Sequence, residues 1–382
     1  MIRSVSKASR RKITRRRTIR LPERPDQRIN RLAKVRVNRR QESFPAWLRQ
    51  APGRFGVDRA PSEASGTSIL SALPQPLVSV VIPTFNRPQY LGLALGSAIA
   101  QTFKNIEIIV QDNASVEDPT ARVSAVGDAR VRLFRNATNI GQTANIVTAC
   151  ARASGKYVAI LGDDDVWQPD FLARLVPPLE NDPEIIVSFC AHDYIDIQGR
   201  LDRIRTEAVN RRHRHGLSEG VYAPFVRIAL VNRAICAVSA AVFRREAIDW
   251  EAVPKDLEYG CDNYINYLAA RTGKRCYYQP ARLAQVRLFP QSASIAATAT
   301  WHGREMNGRA SLLCWDVFFR DSAVSAEHRY FAMKRADNAL RVIFCALGRK
   351  DLRMVLREFY AFLQRGVIRP SALLYHLRFG RH

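Results

Sequence analysis

The chain has 382 residues, 47% of them hydrophobic, which is enough for one or two folded domains and additional segments. Its seven cysteines are scattered and form no Cys-x-x-Cys pair, which argues against a disulfide framework or a zinc knuckle and favours buried thiols in a reducing cytoplasm. No run approaches the ~18 apolar residues of a membrane-spanning helix, and the N-terminus lacks an apolar signal region. We therefore expect a cytoplasmic protein.

The formal net charge of +24 is concentrated near the N-terminus. Residues 1–60 hold 19 Lys and Arg against four acidic residues (19 − 4 = +15), so the other 322 residues carry only +9. Since these charges repel and few apolar residues oppose them, we predict a disordered basic tail and linker over residues 1–76. The tail could bind nucleic acid or anionic lipid, or it could be a solvated extension. No helix-turn-helix or zinc finger accompanies it, so nucleic acid is not favoured as the main partner.

From residue 77 onward, short β-branched runs alternate with stretches of helical periodicity. The predicted strands cover 77–82, 106–111, 131–135, 157–161 and 274–280, and the predicted helices cover 88–101, 119–126, 141–154 and 169–181. Apolar strands separated by helices of this length are typical of βαβ units. We therefore predict an α/β domain over residues 77–295, built on a mostly parallel sheet with helices on both faces.

Residues 296–382 form the third predicted region, helical from residue 301. Apolar side chains recur there at helical spacing, for example Leu312, Trp315 and Phe318, with Arg and Lys beside them. These stripes could pack against the α/β domain or against one another. Alternatively, basic amphipathic helices could contact an anionic membrane, which would hold the protein at the inner face of the membrane.

Polar residues follow three of the predicted strands. The first strand is followed by Thr84, Phe85, Asn86 and Arg87, the second by Asp112, and the fourth by the acidic run, which consists of Asp163, Asp164 and Asp165. Ligands of open α/β sheets bind outside the carboxyl ends of the strands, so we expect these residues to meet at one rim. Each loop residue could also be a turn former, Asp112 through an Asx-turn.

The three adjacent carboxylates of the acidic run repel one another. A divalent cation bridging to a diphosphate would relieve this repulsion, because carboxylate and phosphate oxygens are the ligands that Mg²⁺ and Mn²⁺ prefer. The structural alternative is that Asp165 caps the helix predicted from residue 169. One aspartate would be enough for capping, so we predict a metal and diphosphate site.

Four segments in order resemble family-2 glycosyltransferases. They are V-S-V-V-I-P-T-F-N-R from Val78, I-E-I-I-V-Q-D-N-A-S from Ile106, N-I-G from Asn139, and A-S-G-K-Y-V-A-I-L-G-D-D-D-V-W from Ala153. The resemblance is dense from residue 77 to about residue 196 and sparser to about residue 294. It implies the GT-A fold, a nucleotide-diphosphate sugar as donor, Mn²⁺ or Mg²⁺, and inverting transfer to a glycan or lipid-linked saccharide.

The resemblance also implies roles for single residues of the rim. The positions predicted to contact the donor nucleotide are Thr84, Phe85, Asn86, Arg87, Asp112 (the base), Asn139 and Asp163 (the ribose). Many family members have Asp where this chain has Gly162, so Asp163 to Asp165 must supply the ligands of the motif. Asp164 and Asp165 are the predicted metal ligands, and the departure at Gly162 leaves open which of the two holds the metal.

An inverting transfer needs a base that deprotonates the acceptor hydroxyl. The family resemblance points to Asp262, although Cys261 replaces the usual acidic neighbour. Glu258 is the alternative base, and a cap for a helix over 263–271 is the structural alternative for Asp262.

Weaker features and other protein classes complete the prediction. Residues 211–215 (Arg-Arg-His-Arg-His) could bind a phosphate or form a solvated loop, and 287–294 resemble a loop that closes over the site. His192 and His302 could be metal ligands or structural residues. The loop after the first strand has no glycine, which disfavours a nucleotidyltransferase, and the chain lacks the G-x-G-x-x-G of a dehydrogenase. A non-catalytic nucleotide-, nucleic-acid- or membrane-binding protein that uses the tail is the remaining alternative.

Overall fold

The structure is a computed structural model that describes residues 75–257, 259–289 and 299–364. The predicted tail, apart from its last two residues, lies outside these ranges, as do Glu258 and residues 290–294 of the predicted closing loop. The predicted C-terminal region is described as far as residue 364.

Within the described residues, nine strands form one sheet in the order β3-β2-β1-β4-β8-β6-β9-β5, with β7 paired to β9. Their bounds are β1 Val78–Thr84, β2 Ile106–Asp112, β3 Val131–Arg135, β4 Tyr157–Ile160, β5 Val166–Trp167, β6 Ile185–Ile195, β7 Gly220–Tyr222, β8 Ala241–Arg244 and β9 Arg275–Arg287. The first four strands are parallel, as the apolar runs and intervening helices predicted.

The other half of the sheet is mixed, which the prediction of a mostly parallel sheet missed. β8 runs antiparallel to both β4 and β6, while β6 and β9 are parallel. Because β8 reverses direction between them, β6 points the same way as β4. The carboxyl end of β6, with His192 and Tyr194, therefore lies at the same edge of the sheet as the acidic run.

Two predicted strand ends at prolines are wrong. β1 continues through Pro83 to Thr84, since β4 pairs only as far as Val81 and no ladder bond requires an N–H from Pro83. β9 continues through Pro280, because the pairing with β6 shifts between Gln279 and Arg282 and leaves Pro280 in a bulge.

Helices lie on both faces of the sheet, and the last three described helices follow β9 in the chain. The described helices are α1 Pro88–Ile99, α2 Thr120–Ser124, α3 Gln142–Ala151, α4 Phe171–Asn181, α5 Arg203–His213, α6 Cys261–Ala270, α7 Trp301–Arg320, α8 His328–Gly348 and α9 Leu352–Gln364. Trp315 and Phe318 of α7 share a buried cluster with α6 and the sheet, so the packing interpretation holds for this stripe. Within the described residues, no helix has the length and apolar character needed to cross a membrane.

Candidate functional site

The loop after β1 is joined to the loop after β2 by Asn86. Its backbone has φ 54°, a left-handed conformation that asparagine tolerates better than most residues. The Asn86 N–H donates to Ser115 Oγ (2.8 Å), and Asn86 Oδ1 accepts from the Val116 N–H (2.8 Å). The first two predicted loops therefore meet at one rim.

Asp163 joins the same β1 loop to the acidic run. Its carboxylate accepts from Thr84 Oγ1 (2.8 Å), the Phe85 N–H (3.3 Å) and an Arg87 guanidinium nitrogen (2.9 Å). Burial raises the pKa of Asp163, although Arg87, Thr84 and Phe85 oppose the change. Four predicted nucleotide-contacting residues thus touch one another, which makes Asp163 a fixed, buried carboxylate.

Asp164 has the poorest environment for an anion. Its carboxylate accepts from Arg87 (3.0 Å). Burial, followed by the charges of Asp165 and Asp163, raises its pKa to about 8. A nearby divalent cation would favour the charged form, and Asp164 is therefore the carboxylate of the run that gains most from a metal.

Asp165 is held from the opposite side of the rim. Its carboxylate accepts from Ser239 Oγ (2.5 Å) and the Arg287 N–H (3.0 Å), and burial raises its pKa to about 6. The capping alternative is wrong, because β5 follows Asp165 and α4 begins only at Phe171, preceded by Asp170.

Gly162 leaves room for the acidic run. A Cβ at this position would lie 2.8 Å from Asp165 Oδ2 and 3.2 Å from Asp164 Oδ1. Its N–H also donates to Ser239 Oγ (3.1 Å). A side chain at position 162 would therefore require the carboxylate groups of Asp164 and Asp165 to shift from these positions.

Asp112 is fully buried at the end of β2. Its carboxylate accepts from the Ser115 N–H (3.1 Å) and Ser115 Oγ (2.5 Å), and Arg135 Nε lies 3.1 Å from it. These contacts form the Asx-type turn that the sequence offered as the alternative to base recognition. In this arrangement Asp112 shapes the loop and is shielded from solvent.

Asn139 connects the loop after β3 to the rim. Its Oδ1 accepts from Asn113 Nδ2 (2.8 Å) and from the Gly141 N–H (2.9 Å). Asn113 Oδ1 in turn accepts from the Ile140 N–H (3.0 Å) and from Asn136 Nδ2 (3.0 Å). All the predicted loops are thus tied together, and Asn139 lies exposed at the margin of the network.

Asp262 lies in the first turn of α6, and the N-cap of that helix is Gly260 with φ 89°. The capping alternative for Asp262 is therefore wrong. Burial raises the pKa of its carboxyl, while a hydrogen bond from the Val238 backbone and the charge of Arg233 oppose this. A partly buried carboxyl with a raised pKa suits a general base.

Two features bring Asp262 near the acidic run. Val238, which contacts Asp262, precedes Ser239, which contacts Asp165, in one 3₁₀ turn. Burial raises the pKa of the Tyr194 hydroxyl, at the end of β6, to about 12. The negative charges of Asp165 and Asp262 make smaller contributions in the same direction. Sequence reasoning missed Ser239 and Tyr194, which belong to no recognised motif and reach the rim only through the mixed half of the sheet.

His192 and His302 lie in different surroundings, and part of the basic run is helical. His192 is buried, and Arg214 contacts its Nδ1 at 3.0 Å. Burial and the Arg214 charge hold the pKa of His192 well below its usual range. His302 lies exposed on α7. Residues 211–213 end helix α5, so the expectation of a loop there was wrong.

The acidic run fits a metal that takes few protein ligands. Among the described residues, no group of three or more His, Cys, Asp or Glu side chains is arranged to hold a metal ion. Mg²⁺ and related ions commonly bind through one or two carboxylates together with substrate phosphates and water. Asp164, whose carboxylate accepts from Arg87 and from no other described side chain, and the adjacent Asp165 satisfy that smaller requirement.

Comparison with known proteins gives one family. The family model for Glycosyl transferase family 2 matches residues 79–249. An uncharacterized glycosyltransferase of Rickettsia prowazekii is 33% identical over 122 residues, 32% of this chain and 38% of that protein. The Escherichia coli UDP-Glc:alpha-D-GlcNAc-diphosphoundecaprenol beta-1,3-glucosyltransferase WfgD is 32% identical over 91 residues, 24% of this chain and 36% of that protein. The matches to these two relatives span under two fifths of their length.

A solved structure shares the fold. The crystal structure of S. aureus TarS 1–349 in complex with UDP-GlcNAc aligns with a TM-score of 0.57 at 15% identity, covering 77% of this chain and 82% of that chain. At this identity the likeness shows the fold alone, and it agrees with the predicted GT-A fold.

Proposed function

We propose that the chain, whose residues 79–249 match the family model for Glycosyl transferase family 2, transfers a sugar from a nucleotide-diphosphate donor to a hydroxyl of a glycan or lipid-linked saccharide. The observation that carries this proposal is the joined rim. Arg87 contacts Asp163 and Asp164, and Ser239 contacts Asp165. Val238, which precedes Ser239 in the same 3₁₀ turn, donates a backbone hydrogen bond to Asp262. Two carboxylate sites with different surroundings suit a donor site and a base.

In the proposed donor site, the loop after β1 binds the nucleotide. Thr84 and Phe85 already orient Asp163, which would accept a hydrogen bond from the ribose. Arg87 and Asn86 would lie beside the diphosphate and the loop after β2. Asp112 and Asn139 would hold the loops that enclose the base, Asp112 through Ser115 and Arg135.

A Mn²⁺ or Mg²⁺ ion would be held by Asp164, with Asp165 beside it. When bound, such an ion stabilises the negative charge that develops on the leaving diphosphate. Arg87 contributes positive charge on the same side, since it contacts Asp164 at 3.0 Å. Arg287 fixes the run through its N–H to Asp165 and its Nε to the Asp164 carbonyl (2.9 Å).

Asp262 would remove the proton of the acceptor hydroxyl as its oxygen attacks the anomeric carbon. The C–O bond to the diphosphate breaks, the new glycosidic bond forms on the opposite face, and the proton stays on Asp262 until solvent removes it. Attack opposite the leaving group inverts the anomeric configuration. The raised pKa of Asp262 makes it a better base than an exposed aspartate.

Helix α9 supports peripheral contact with an anionic membrane. Leu352, Leu356 and Phe359 lie on one stripe and are 69%, 71% and 48% exposed, and Arg353 and Arg357 flank them. An exposed apolar stripe with adjacent cations suits an anionic lipid surface. Flotation with phosphatidylglycerol vesicles should recover the wild type and lose Leu356→Glu. Equal recovery of both proteins would contradict this contact.

The donor site is tested by thermal unfolding with UDP, GDP, dTDP or CDP, each in Mn²⁺ or EDTA. A ligand that binds only the folded state raises the melting temperature by mass action. We expect one nucleotide to give a Mn²⁺-dependent rise that Asp164→Ala lacks. A chain without residues 1–70 should keep the rise, because the proposed chemistry does not use the tail. No rise for any nucleotide with a folded protein would contradict the proposal and favour the non-catalytic alternative.

A further inference from the structure

A cavity of about 300 Å³ lies between the end of α5, the turn after the π-helix Arg227–Val231, and α8. Its walls include two arginines, one lysine, two histidines and a tyrosine: Arg212, Arg233, Lys334, His213, His215 and Tyr330. We call this the basic cavity. It contains the part of the Arg-Arg-His-Arg-His run that the proposed function leaves unused.

The described residues that line the basic cavity include three cations and no carboxylate. Lys334 Nζ lies 3.9 Å from Asp337, and nearby Glu327 pairs instead with Arg227 outside the cavity. Burial lowers the pKa of Lys334, and the charges of Arg233 and Arg212 add to this. A concave surface lined by charges of one sign concentrates ions of the opposite sign.

The segment from Arg233 to Ile235 connects the basic cavity to α6, the helix of the proposed base, because Asn266 Nδ2 of α6 donates to the Ile235 carbonyl (3.3 Å). Arg233 is the member of this segment that lines the cavity. Its charge acts on His213 and Lys334 in the cavity and also on the carboxyl of Asp262. Its backbone has φ 53°, a conformation that costs a non-glycine residue free energy and occurs where the surroundings enforce it. Arg233 thus lines the basic cavity and lies two residues before a direct contact with the helix that carries Asp262.

We propose that the basic cavity binds the phosphate or diphosphate group of the acceptor, so that the acceptor is a phosphorylated saccharide. This inference rests on the proposed function. The donor diphosphate is assigned to the acidic run and its metal, and no residue of the acidic run lines the basic cavity. The phosphate that enters the cavity therefore belongs to the second substrate, and Arg233 aligns that substrate with the base.

The test uses calorimetric binding of two probes to the full chain in EDTA without nucleotide. One probe is N-acetylglucosamine diphosphate carrying a short phenoxyalkyl chain, and the other is the glycoside of the same sugar and chain without phosphate. The variant Arg212→Gln/Lys334→Gln removes two cations of the cavity. We expect about 10- to 100-fold weaker binding of the diphosphate probe by this variant, and no change for the phosphate-free probe.

The matched control is Arg211→Gln/Arg329→Gln. It removes the same charge from the same two helices, but both residues are exposed and neither lines the basic cavity. The control should bind the diphosphate probe like the wild type. Equal weakening in both double variants, or none in either, would overturn the proposal.

Two further measurements distinguish inorganic phosphate from the saccharide diphosphate, and the basic cavity from the proposed donor site. Inorganic phosphate should compete only weakly; if it binds as tightly as the saccharide diphosphate, the site takes free anions and the acceptor assignment is wrong. Asp164→Asn should bind the diphosphate probe normally. If nucleotide binding is absent in the wild type but this probe still depends on Arg212 and Lys334, the donor assignment fails while the basic cavity stands as an anion site.

Discussion

The acidic run and the basic cavity differ in the sign of their charge and in the hydrogen bonds that hold their charged side chains. In the acidic run, Asp163 and Asp165 accept hydrogen bonds from several loops, and Arg87 contacts Asp163 and Asp164. In the basic cavity, the side chains that face one another are mainly cations, with Asp337 3.9 Å from Lys334. The first region is a negative site whose carboxylates are held by hydrogen bonds, and the second is a positive site whose described lining residues include no carboxylate.

This difference indicates two ligands of different character. Even with its donors, the acidic run keeps carboxyl pKa values of about 8 and about 6, so a cation together with a diphosphate would complete it. The basic cavity requires an anion and no metal. Val238, next to Ser239 of the acidic region, donates to Asp262, and Asn266 on the same helix as Asp262 contacts Ile235 beside the basic cavity. In the proposed function Asp262 would therefore act between two substrates.

The largest effect should come from Asp262→Asn. This change keeps the shape of the side chain but removes the base, so sugar transfer should fall about 10²- to 10⁴-fold. Nucleotide binding in Mn²⁺ should stay near the wild-type value, because the donor contacts are elsewhere. Initial rates with calorimetry test both parts; transfer within threefold of wild type would remove Asp262 from the mechanism.

Asp164→Asn should have the next largest effect on transfer, and it should differ from Asp262→Asn in its effect on nucleotide binding. Transfer should fall about 10²- to 10³-fold, and the Mn²⁺-dependent binding of nucleotide should be lost with it. Without ligands the variant should be more stable than the wild type by about 1 kcal/mol, because a buried, repelling carboxylate has been removed. Urea unfolding in EDTA checks this, and destabilisation would show that Arg87 compensates Asp164 fully.

A smaller effect is expected for Arg87→Gln, which removes the cation that contacts both Asp163 and Asp164. The unfolding free energy should fall by about 1–3 kcal/mol, less than for a fully buried pair because the Arg87 side chain is 30% exposed. In an Asp163→Asn background the same change should cost less. An equal cost in both backgrounds, measured by urea unfolding, would mean that the two side chains are not coupled.

The smallest effect concerns the pH dependence of transfer. Burial raises the pKa of Asp262 above its ordinary value of 3.8, so folding favours the protonated form; that stabilisation is complete below the ordinary pKa and is lost as pH rises through the folded pKa. The base form, and hence kcat, rises over the same interval. Because Arg233 holds this pKa down, Arg233→Gln should move the acidic limb of the kcat profile to higher pH. If the acidic limb of the kcat profile stays at the same pH or moves to lower pH, the link between Arg233 and Asp262 is contradicted.

The parallel half of the fold and its rim could be predicted from the sequence. Each strand there is an apolar run followed directly by its polar loop, so local pattern and final position coincide, as for β3 over Val131–Arg135. The metal and diphosphate role of the acidic run and the roles of Asp164 and Asp262 stay predictions. Asp112 shows the limit of motif reasoning, because its surroundings form the turn and cover its carboxylate.

In the remaining half, only the strand over 274–280 was predicted, because the other contacts there join segments far apart in the chain. Ser239 meets Asp165 across 74 positions, and Arg287 meets it across 122. The reversal of β8 that brings Tyr194 to the rim has no local sequence signal. The basic cavity likewise depends on α8 packing near the end of α5, so the basic run alone could only suggest a phosphate.

The most direct test of the account is a crossed titration. Nucleotide with Mn²⁺, and the saccharide diphosphate in EDTA, are each titrated into wild type, Asp164→Asn and Arg212→Gln/Lys334→Gln. The account predicts that Asp164→Asn loses only the nucleotide and that the double variant loses only the saccharide diphosphate. Loss of both ligands in either variant, or of neither in both, would contradict two separate substrate regions.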